Sequence, residues 1–234
     1  MKKLIYIADD DKNIRNLIKA FLETEGYEVR AYESGDLLFE AFKGKECDLV
    51  VLDIMMPGSS GLIICKKLRE LSNVPIIMLT AKDTEDDYII GLSLGSDDYL
   101  TKPFSPAKLT MRVKAMLRRV DMHTKMAKNG SNITYGNITV NPGKMTAYCG
   151  SNALKLTKTE FNLLMYLLEN KEKAVSRQEL LNSIWGYESG VESRATDDAV
   201  KRLRRKLENA ESDIFIDTVW GHGFRIALKE GAKP

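Results

Sequence analysis

LIYIADD (Leu4–Asp10) and DLVVLDIMMPG (Asp48–Gly58) are the stretches whose reading decides the fold. Each is an apolar run of strand length that halts at carboxylates, Asp9 and Asp10 in the first and Asp53 in the second. Two further runs end in the same manner, Pro75–Leu79 at Thr80, and Asp98-Tyr99-Leu100 at Thr101, Lys102 and Pro103. Short apolar runs alternating with helix-period segments make a parallel sheet covered on both faces. In such a sheet the carboxyl ends of all strands open on one edge, and ligands bind there. The pattern therefore gathers three carboxylates, a hydroxyl and an ammonium around one pocket.

The segments between these runs carry helical patterning. Ile14, Leu17, Ile18, Phe21 and Leu22 recur at helical spacing until Gly26. Tyr27–Tyr32 reads as a second strand, and Ser34 caps a helix bearing Leu37, Leu38 and Ala41. Pro57-Gly58 marks a turn before a helix over Leu62–Leu71. Asp83–Leu94 is expected to be the fourth helix, and Ser105-Pro106 opens the fifth. Five β-α units predict an α/β fold, a doubly wound five-stranded parallel sheet over residues 1–121.

Residues 122–131 lack periodicity and read as a linker. Beyond it, over residues 132–229, the pattern changes to an α+β domain, with 230–234 as a tail. Strands are expected at Ile133–Val140 and Met145–Cys149, broken at Asn141-Pro142-Gly143. Thr157 caps an amphipathic helix, and Ser176 with Glu179 forms a capping box for the next. A basic helix covers Arg194–Glu208, and a hairpin at Phe215–Val219 and Phe224–Leu228 closes the domain around Trp220-Gly221-His222-Gly223.

Charge divides along the same line. Residues 1–121 hold 18 Lys and Arg against 20 Asp and Glu, a net of −2, and residues 122–234 hold 17 against 13, a net of +4. An acidic first half and a basic second half suggest different partners for each. No apolar run approaches the roughly 18 residues of a membrane span. The apolar stretch after Lys2-Lys3 ends at Asp9, too early for a signal peptide. Cys47, Cys65 and Cys149 have no metal-type spacing and read as reduced thiols of a cytoplasmic protein.

Mg²⁺ takes about six oxygens and is commonly held by one or two carboxylates with waters and phosphate. Asp9, Asp10 and Asp53 suit that donor set, and Mn²⁺ would serve as well. Clustered carboxylates repel each other, and a cation relieves the repulsion. It also polarises a phosphoryl group, so that a carboxylate can act as the nucleophile. Lys102 would balance charge on the product oxygens and Thr80 would donate a hydrogen bond. Taken singly, Asp9–Asp11 could merely cap the first helix; their joint placement with Asp53 at strand ends argues otherwise.

ADDD, LDIMMPGSSG, MLTAKD and DDYLTKPF, at the ends of the first, third, fourth and fifth strands, resemble the receiver domain of bacterial two-component response regulators. The resemblance implies that Asp53 accepts a phosphoryl group from a sensor histidine kinase, with slow autodephosphorylation as the only turnover. It implies that Asp9, Asp10, Asp53 and the Met55 carbonyl bind Mg²⁺. It implies that Thr80 and Tyr99 form a switch pair and that Lys102-Pro103 is a cis peptide.

On a helical wheel, Thr196, Val200, Leu203 and Leu207 share one face of the basic helix, and Arg194, Asp198, Lys201, Arg202 and Arg205 lie opposite. Such a front can enter a major groove. LTKTEFNLLMYLLEN, SRQELLNSIWG, RATDDAVKRLRRKLE and IDTVWGHGFRI resemble the winged-helix domain of the OmpR/PhoB class. The resemblance implies double-stranded DNA with tandem half-sites as a partner. Arg194–Glu208 becomes the recognition helix, with Arg202 as the first candidate for a base contact. Lys201, Arg205, Thr157 and Thr159 become phosphate contacts, and His222 lies at the wing tip. Asp198 could accept from a cytosine amine, orient an arginine or weaken binding.

The same class forms a homodimer when phosphorylated. Asp97, Asp98, Arg112, Lys114 and Arg119 match its interface charges, whereas Tyr88 and Lys108 replace the two members of one intersubunit pair. Exposed pairs of that sort contribute about 0–1 kcal/mol each. Two competing readings are a DNA-binding regulator independent of phosphorylation and a carboxylate-based phosphatase. The second lacks the DxD signature, because Asp53-Ile54-Met55 has no second Asp.

Overall fold

In the computed structural model, residues 2–81, 95–126, 132–171, 173–186 and 195–231 are described; for Ala81 and residues 118–126 the description is of the backbone. The chain divides into two compact units, Met1–Leu117 and Arg118–Pro234.

The first unit is built on β1 (Leu4–Ala8), β2 (Glu28–Tyr32), β3 (Leu49–Asp53), β4 (Ile76–Ala81) and β5 (Asp98–Lys102). They pair in parallel in the order β2-β1-β3-β4-β5. The strand order reverses between β1 and β3, the crevice at which doubly wound sheets bind ligands. Helices α1 (Lys12–Thr24), α2 (Gly35–Gly44), α3 (Gly61–Leu71) and α4 (Pro106–Met126) accompany the sheet. Residues of β1 alternate between two cores. Tyr6 and Ala8 join Leu38, Phe42, Ile64 and Leu68 from α2 and α3. Ile5 and Ile7 join Ile18, Leu22, Leu109 and Val113 from α1 and α4. That division explains why β1 and β3 are apolar at nearly every position. The expected fourth helix, 83–94, lies outside the described residues.

Helix starts follow local chemistry. The Asp11 carboxylate accepts from the backbone N–H groups of Asn13 and Ile14, and the Ser34 hydroxyl accepts from that of Leu37. Arg69 of α3 ties the entry of β5 in place, donating to the carbonyls of Gly95 (2.7 Å) and Val74 (2.5 Å) and to the Asp97 carboxylate (2.6 Å). The first residue of α3 must be glycine, because a Cβ on Gly61 would stand 2.0 Å from the Asp53 carbonyl oxygen. Gly61→Ala is therefore expected to displace the end of β3, at a cost of about 1–3 kcal/mol. Urea unfolding of the variant checks this; a midpoint equal to wild type would mean that the loop yields freely.

Helix α4 continues to Met126, so residues 122–126, expected in a linker, are helical. The sequence MHTKMAK contains no helix breaker, and the first stop signal is Asn129-Gly130.

The second unit has a four-stranded antiparallel sheet, β6 (Ile133–Tyr135), β7 (Ile138–Asn141), β8 (Thr146–Cys149) and β9 (Asn152–Leu154). The single strand expected over Ile133–Val140 is two strands, reversed at Gly136, whose φ of 58° belongs to the left-handed region. Next come α5 (Lys158–Glu169), α6 (Arg177–Leu180, prolonged by a π-helical turn over Leu181–Trp185), α7 (Ala195–Asn209) and the hairpin β10 (Ile214–Val219) with β11 (Gly223–Leu228). Phe161, Leu164, Leu180, Trp185, Val200, Leu203, Ile216 and Phe224 are among its core residues. Ser176 caps α6, but Glu179 accepts from the Tyr166 hydroxyl (2.8 Å) rather than closing a capping box.

Candidate functional site

The carboxyl edge of the first sheet brings the sequence-marked groups together. Asp9 follows β1 directly, Asp53 is the last residue of β3, Thr80 lies near the end of β4 and Lys102 is the last residue of β5. One oxygen each from Asp9, Asp10 and Asp53 lie within 4.8 Å of one another. Asp9 and Asp53 are buried, whereas Asp10 is exposed. Lys102 Nζ lies 2.6 Å from Asp53 Oδ2 and 2.8 Å from Asp9 Oδ2. The second Asp53 oxygen, Oδ1, accepts from the Met55 backbone N–H at 3.4 Å. Thr80 is buried beside this edge, and the Lys102-Pro103 peptide is cis.

The loop after β1 is pinned by groups that the sequence reading passed over. The Asp11 N–H donates to Asp9 Oδ1 (3.0 Å), and Arg15 donates to the carbonyls of Asp9 (2.6 Å) and Asp10 (2.9 Å). An arginine one helical turn into α1 was the available signal. The three carboxylates offer hard oxygen donors, the kind that Mg²⁺ or Mn²⁺ takes, so the residues fit the cation.

Burial raises the pKa of Asp53 above the ordinary carboxylate value, and Asp9 pushes it further up against the lowering effect of Lys102. The Lys102 ammonium is also held above its ordinary pKa: burial works against it, but the hydrogen bonds to Asp53 and Asp9 outweigh burial. The charged Asp53 carboxylate thus opposes folding. A carboxyl raised in the folded state contributes a penalty that appears as pH climbs above its unfolded value and is complete above its folded one. Asp53→Asn is therefore expected to stabilise the protein at neutral pH by about 1 kcal/mol, with the gain vanishing near pH ~4. Thermal melts across that range check it; a gain that persists at acid pH would assign the effect to packing.

Tyr99 is buried and accepts a hydrogen bond from the Ser96 hydroxyl. The charges matched to a dimer face are engaged within the chain. Asp97 pairs with Arg69, and Asp98 pairs with Arg112 at 2.9 Å, whose guanidinium also donates to the Tyr99 carbonyl. Both carboxylates are buried within this chain. Lys114 pairs with Glu25 at 2.6 Å on the surface, and Lys108 is exposed. Tyr88 and the Arg119 side chain lie outside the described residues.

In the second unit the basic helix has the expected back, with Thr196, Val200, Leu203 and Leu207 buried. Lys201 and Arg205 are exposed and Asp198 is half-buried. Arg194 lies outside the described residues. Arg202 departs from the reading: it is buried, with Nε 3.4 Å from Glu160 Oε1. Glu160 is itself buried at the third position of α5, and Lys206 Nζ reaches its Oε2 at 2.5 Å. A buried carboxylate requires counter-charge, and the face of α7 nearest α5 supplies it.

Thr157 and Thr159 are likewise buried as residues, and the Thr157 hydroxyl is engaged at the start of α5. Thr157 accepts from the Glu160 N–H (3.3 Å) while Glu160 accepts from the Thr157 N–H (2.9 Å), a complete capping box. The spacing T-x-x-E was its signal.

Arg204 was also unforeseen. It donates to the Ile216 carbonyl (2.8 Å) and the Thr218 hydroxyl (2.7 Å), fastening the hairpin along α7. The guanidiniums of Arg204 and Arg177 stand 5.7 and 4.7 Å from the Phe224 ring centroid. At the hairpin tip His222 and Trp220 are exposed.

Among the described residues no helix is long and apolar enough to cross a membrane. The family described as "Response regulator receiver domain" matches residues 5–114, and "Transcriptional regulatory protein, C terminal" matches residues 151–226. Regulatory protein VanR of Enterococcus faecium is 41% identical over 229 residues, 97% of this chain and 99% of that protein. The alkaline phosphatase synthesis transcriptional regulatory protein PhoP of Bacillus subtilis is 38% identical over 233 residues, 97% of each. Among solved structures, a cysteine-to-serine mutant of RitR superposes with a TM-score of 0.78 at 25% identity, covering 97% of this chain and 100% of that one. DrrB of Thermotoga maritima, described as an OmpR/PhoB homolog, gives a TM-score of 0.50 at 31% identity, with the same coverage.

Proposed function

Because this chain belongs to the two-component response regulators of the OmpR/PhoB class, we propose that Asp53 is the phosphoacceptor through which a sensor histidine kinase controls its transcription-regulating activity. The observation that carries the reading is the convergence of Asp9, Asp10 and Asp53 with Lys102 on Asp53 Oδ2 at 2.6 Å. An Asp53 carboxylate oxygen attacks phosphorus, the P–N bond to the kinase histidine breaks, and the imidazole leaves with the electron pair. Lys102 moves its hydrogen bond from the carboxylate to a phosphoryl oxygen, and the Thr80 hydroxyl donates to another. Asp9, Asp10, Asp53 and the Met55 carbonyl would hold Mg²⁺ or Mn²⁺, which supplies positive charge beside the phosphoryl oxygens when bound. Water later hydrolyses the acyl phosphate slowly, so the protein is a phosphoryl carrier rather than an enzyme with its own substrate.

The output is promoter DNA binding in the cytoplasm. Lys201 and Arg205 lie on the exposed front of α7 and serve as phosphate or base contacts. Phosphorylation favours a homodimer that seats two second units on tandem half-sites, raising affinity by bivalence. Asp97, Asp98 and Arg112 shape that face from within, leaving Lys108 and Met111 as exposed contact residues.

The test uses the full chain, Mg²⁺ and a small phosphoramidate donor. Intact-mass measurement is expected to show one added phosphoryl group on wild type and none on Asp53→Asn. Sedimentation should show a shift towards dimer only for the modified protein. Phosphoryl incorporation into Asp53→Asn, or DNA footprints identical with and without donor, would favour a regulator independent of phosphorylation.

A further inference from the structure

We propose that Arg15 is a positioning residue for the cation of the acidic pocket: it grips the main chain on both sides of Asp10, aims that carboxylate, and so sets how tightly the pocket takes Mg²⁺ or Mn²⁺. The proposal rests on the reading of Asp9, Asp10 and Asp53 as the cation's ligands.

Arg15 Nη1 donates to the Asp9 carbonyl at 2.6 Å and to the Asp10 carbonyl at 2.9 Å. These carbonyls belong to the two peptides that flank the Asp10 α-carbon. The second of those peptides is held at its other end too, because the Asp11 N–H donates to Asp9 Oδ1 at 3.0 Å. That bond occupies one oxygen of Asp9, and the other oxygen faces Lys102 Nζ at 2.8 Å. Asp9 is therefore aimed by partners of its own side chain. Asp10 is exposed, and among the described residues no hydrogen bond or ion pair holds its carboxylate. One of its oxygens still lies within 4.8 Å of those of Asp9 and Asp53. With no partner on the side chain, that placement depends on the direction of the Cα–Cβ bond, which the two flanking peptides fix.

The place of the arginine in its helix supports the same role. Arg15 is the fourth residue of α1, whose first turn holds no acidic side chain. The amino end of a helix carries partial positive charge and favours anions. A guanidinium there gains nothing from its own helix, and the two carbonyls supply what the helix does not. Charge and grip also predict opposite signs. The guanidinium's charge alone disfavours a cation in the pocket, so its removal would tighten binding. Its hold on Asp10 favours a cation, so its removal would weaken binding. Arg15 is half-buried, and water and salt screen its charge, whereas hydrogen bonds from a charged donor are strong ones. Grip therefore outweighs charge.

The experiment titrates the full chain with Mn²⁺ and counts the free ion by its electron paramagnetic resonance signal. Arg15→Met is expected to weaken Mn²⁺ binding about tenfold, the usual effect of removing a group that orients a metal ligand. Arg15→Lys keeps a donor and should recover part of the loss. Lys19→Met removes a charge one turn further along α1 and should leave the affinity unchanged. In an Asp10→Asn background Arg15→Met should change the affinity by less than about twofold, because the ligand it aims is gone. At saturating Mn²⁺, phosphoryl uptake from a small phosphoramidate should run at the wild-type rate in Arg15→Met. Tighter binding in Arg15→Met overturns the proposal in favour of charge repulsion. A full loss repeated in the Asp10→Asn background, or a rate that stays low at saturating Mn²⁺, overturns it in favour of a role in the fold or at the phosphoryl donor. Failure of wild type to bind Mn²⁺ would overturn the cation reading itself, and the proposal with it.

Discussion

Lys102→Met is expected to destabilise the first unit by about 3–5 kcal/mol in metal-free buffer at neutral pH, the usual cost of stranding a buried charge by removing its partner. Lys102 bridges Asp9 and Asp53, at 2.8 and 2.6 Å, and both carboxylates are buried. Methionine keeps the length and the apolar stem, so the change isolates the ammonium. The sign of the pH dependence follows from Asp53. Burial already lifts its pKa, and loss of the cation that lowers it lifts it further. The folded variant then holds protons more tightly than the unfolded chain, so the loss is small near pH ~4 and grows as pH rises through the raised value. On the proposed function Mg²⁺ binds the folded pocket and not the unfolded chain, so its addition should return much of the stability. Chemical denaturation at several pH values, with and without Mg²⁺, gives the answer. A loss independent of both would show that Lys102 acts through packing.

The second large effect lies in the other unit. Glu160→Ala is expected to cost about 3–5 kcal/mol by removing the buried carboxylate that stands against Arg202 and Lys206. It also removes the reciprocal half of the Thr157 capping box. Glu160→Gln keeps the shape and should cost less. Combined with Arg202→Met it should be milder than the two single changes summed, with a coupling of about 0.5–3 kcal/mol. DNA binding separates two roles for Arg202. As a strut between α5 and α7 it affects all duplex sequences alike when replaced, whereas a base contact would relax selectivity at one position. Selectivity lost at a single base pair in Arg202→Met would restore Arg202 as a reader.

The acidic pocket was legible because its members obey a local rule. A run that is apolar on both faces must be an inner parallel strand, and the residue where it stops must lie on the open edge. Asp9, Asp53 and Thr80 are each such a stop, and Lys102 ends the edge strand β5 on the same side. The basic helix was legible on its apolar side for a similar reason, since helical period alone places Val200, Leu203 and Leu207 inward. What escaped reading depended on distant partners. A wheel ranks Arg202 as surface because it is charged; only the approach of Glu160, 42 positions earlier in the chain, takes it inside. Asp97 and Asp98 meet Arg69 and Arg112 from other elements, pairings that no local pattern displays. The break at Gly136 was passed over although Gly136-Asn137 between two strand-like runs is itself a hairpin signal.

Asp9 follows the first strand in chain order, and Asp53 and Lys102 end the third and the fifth. During synthesis the chain delivers them far apart in time, and no local segment contains two of the three strands. The β1–β3 pairing sets Asp53 beside Asp9, and the ammonium arrives only when β5 has closed the far side. A chain whose sheet lacks β5 therefore lacks the ammonium of this pocket, and on the proposed function it could not hold a phosphoryl group as the finished sheet would. On the proposed function the pocket certifies its own completeness: a molecule able to receive the signal would be one whose sheet is finished.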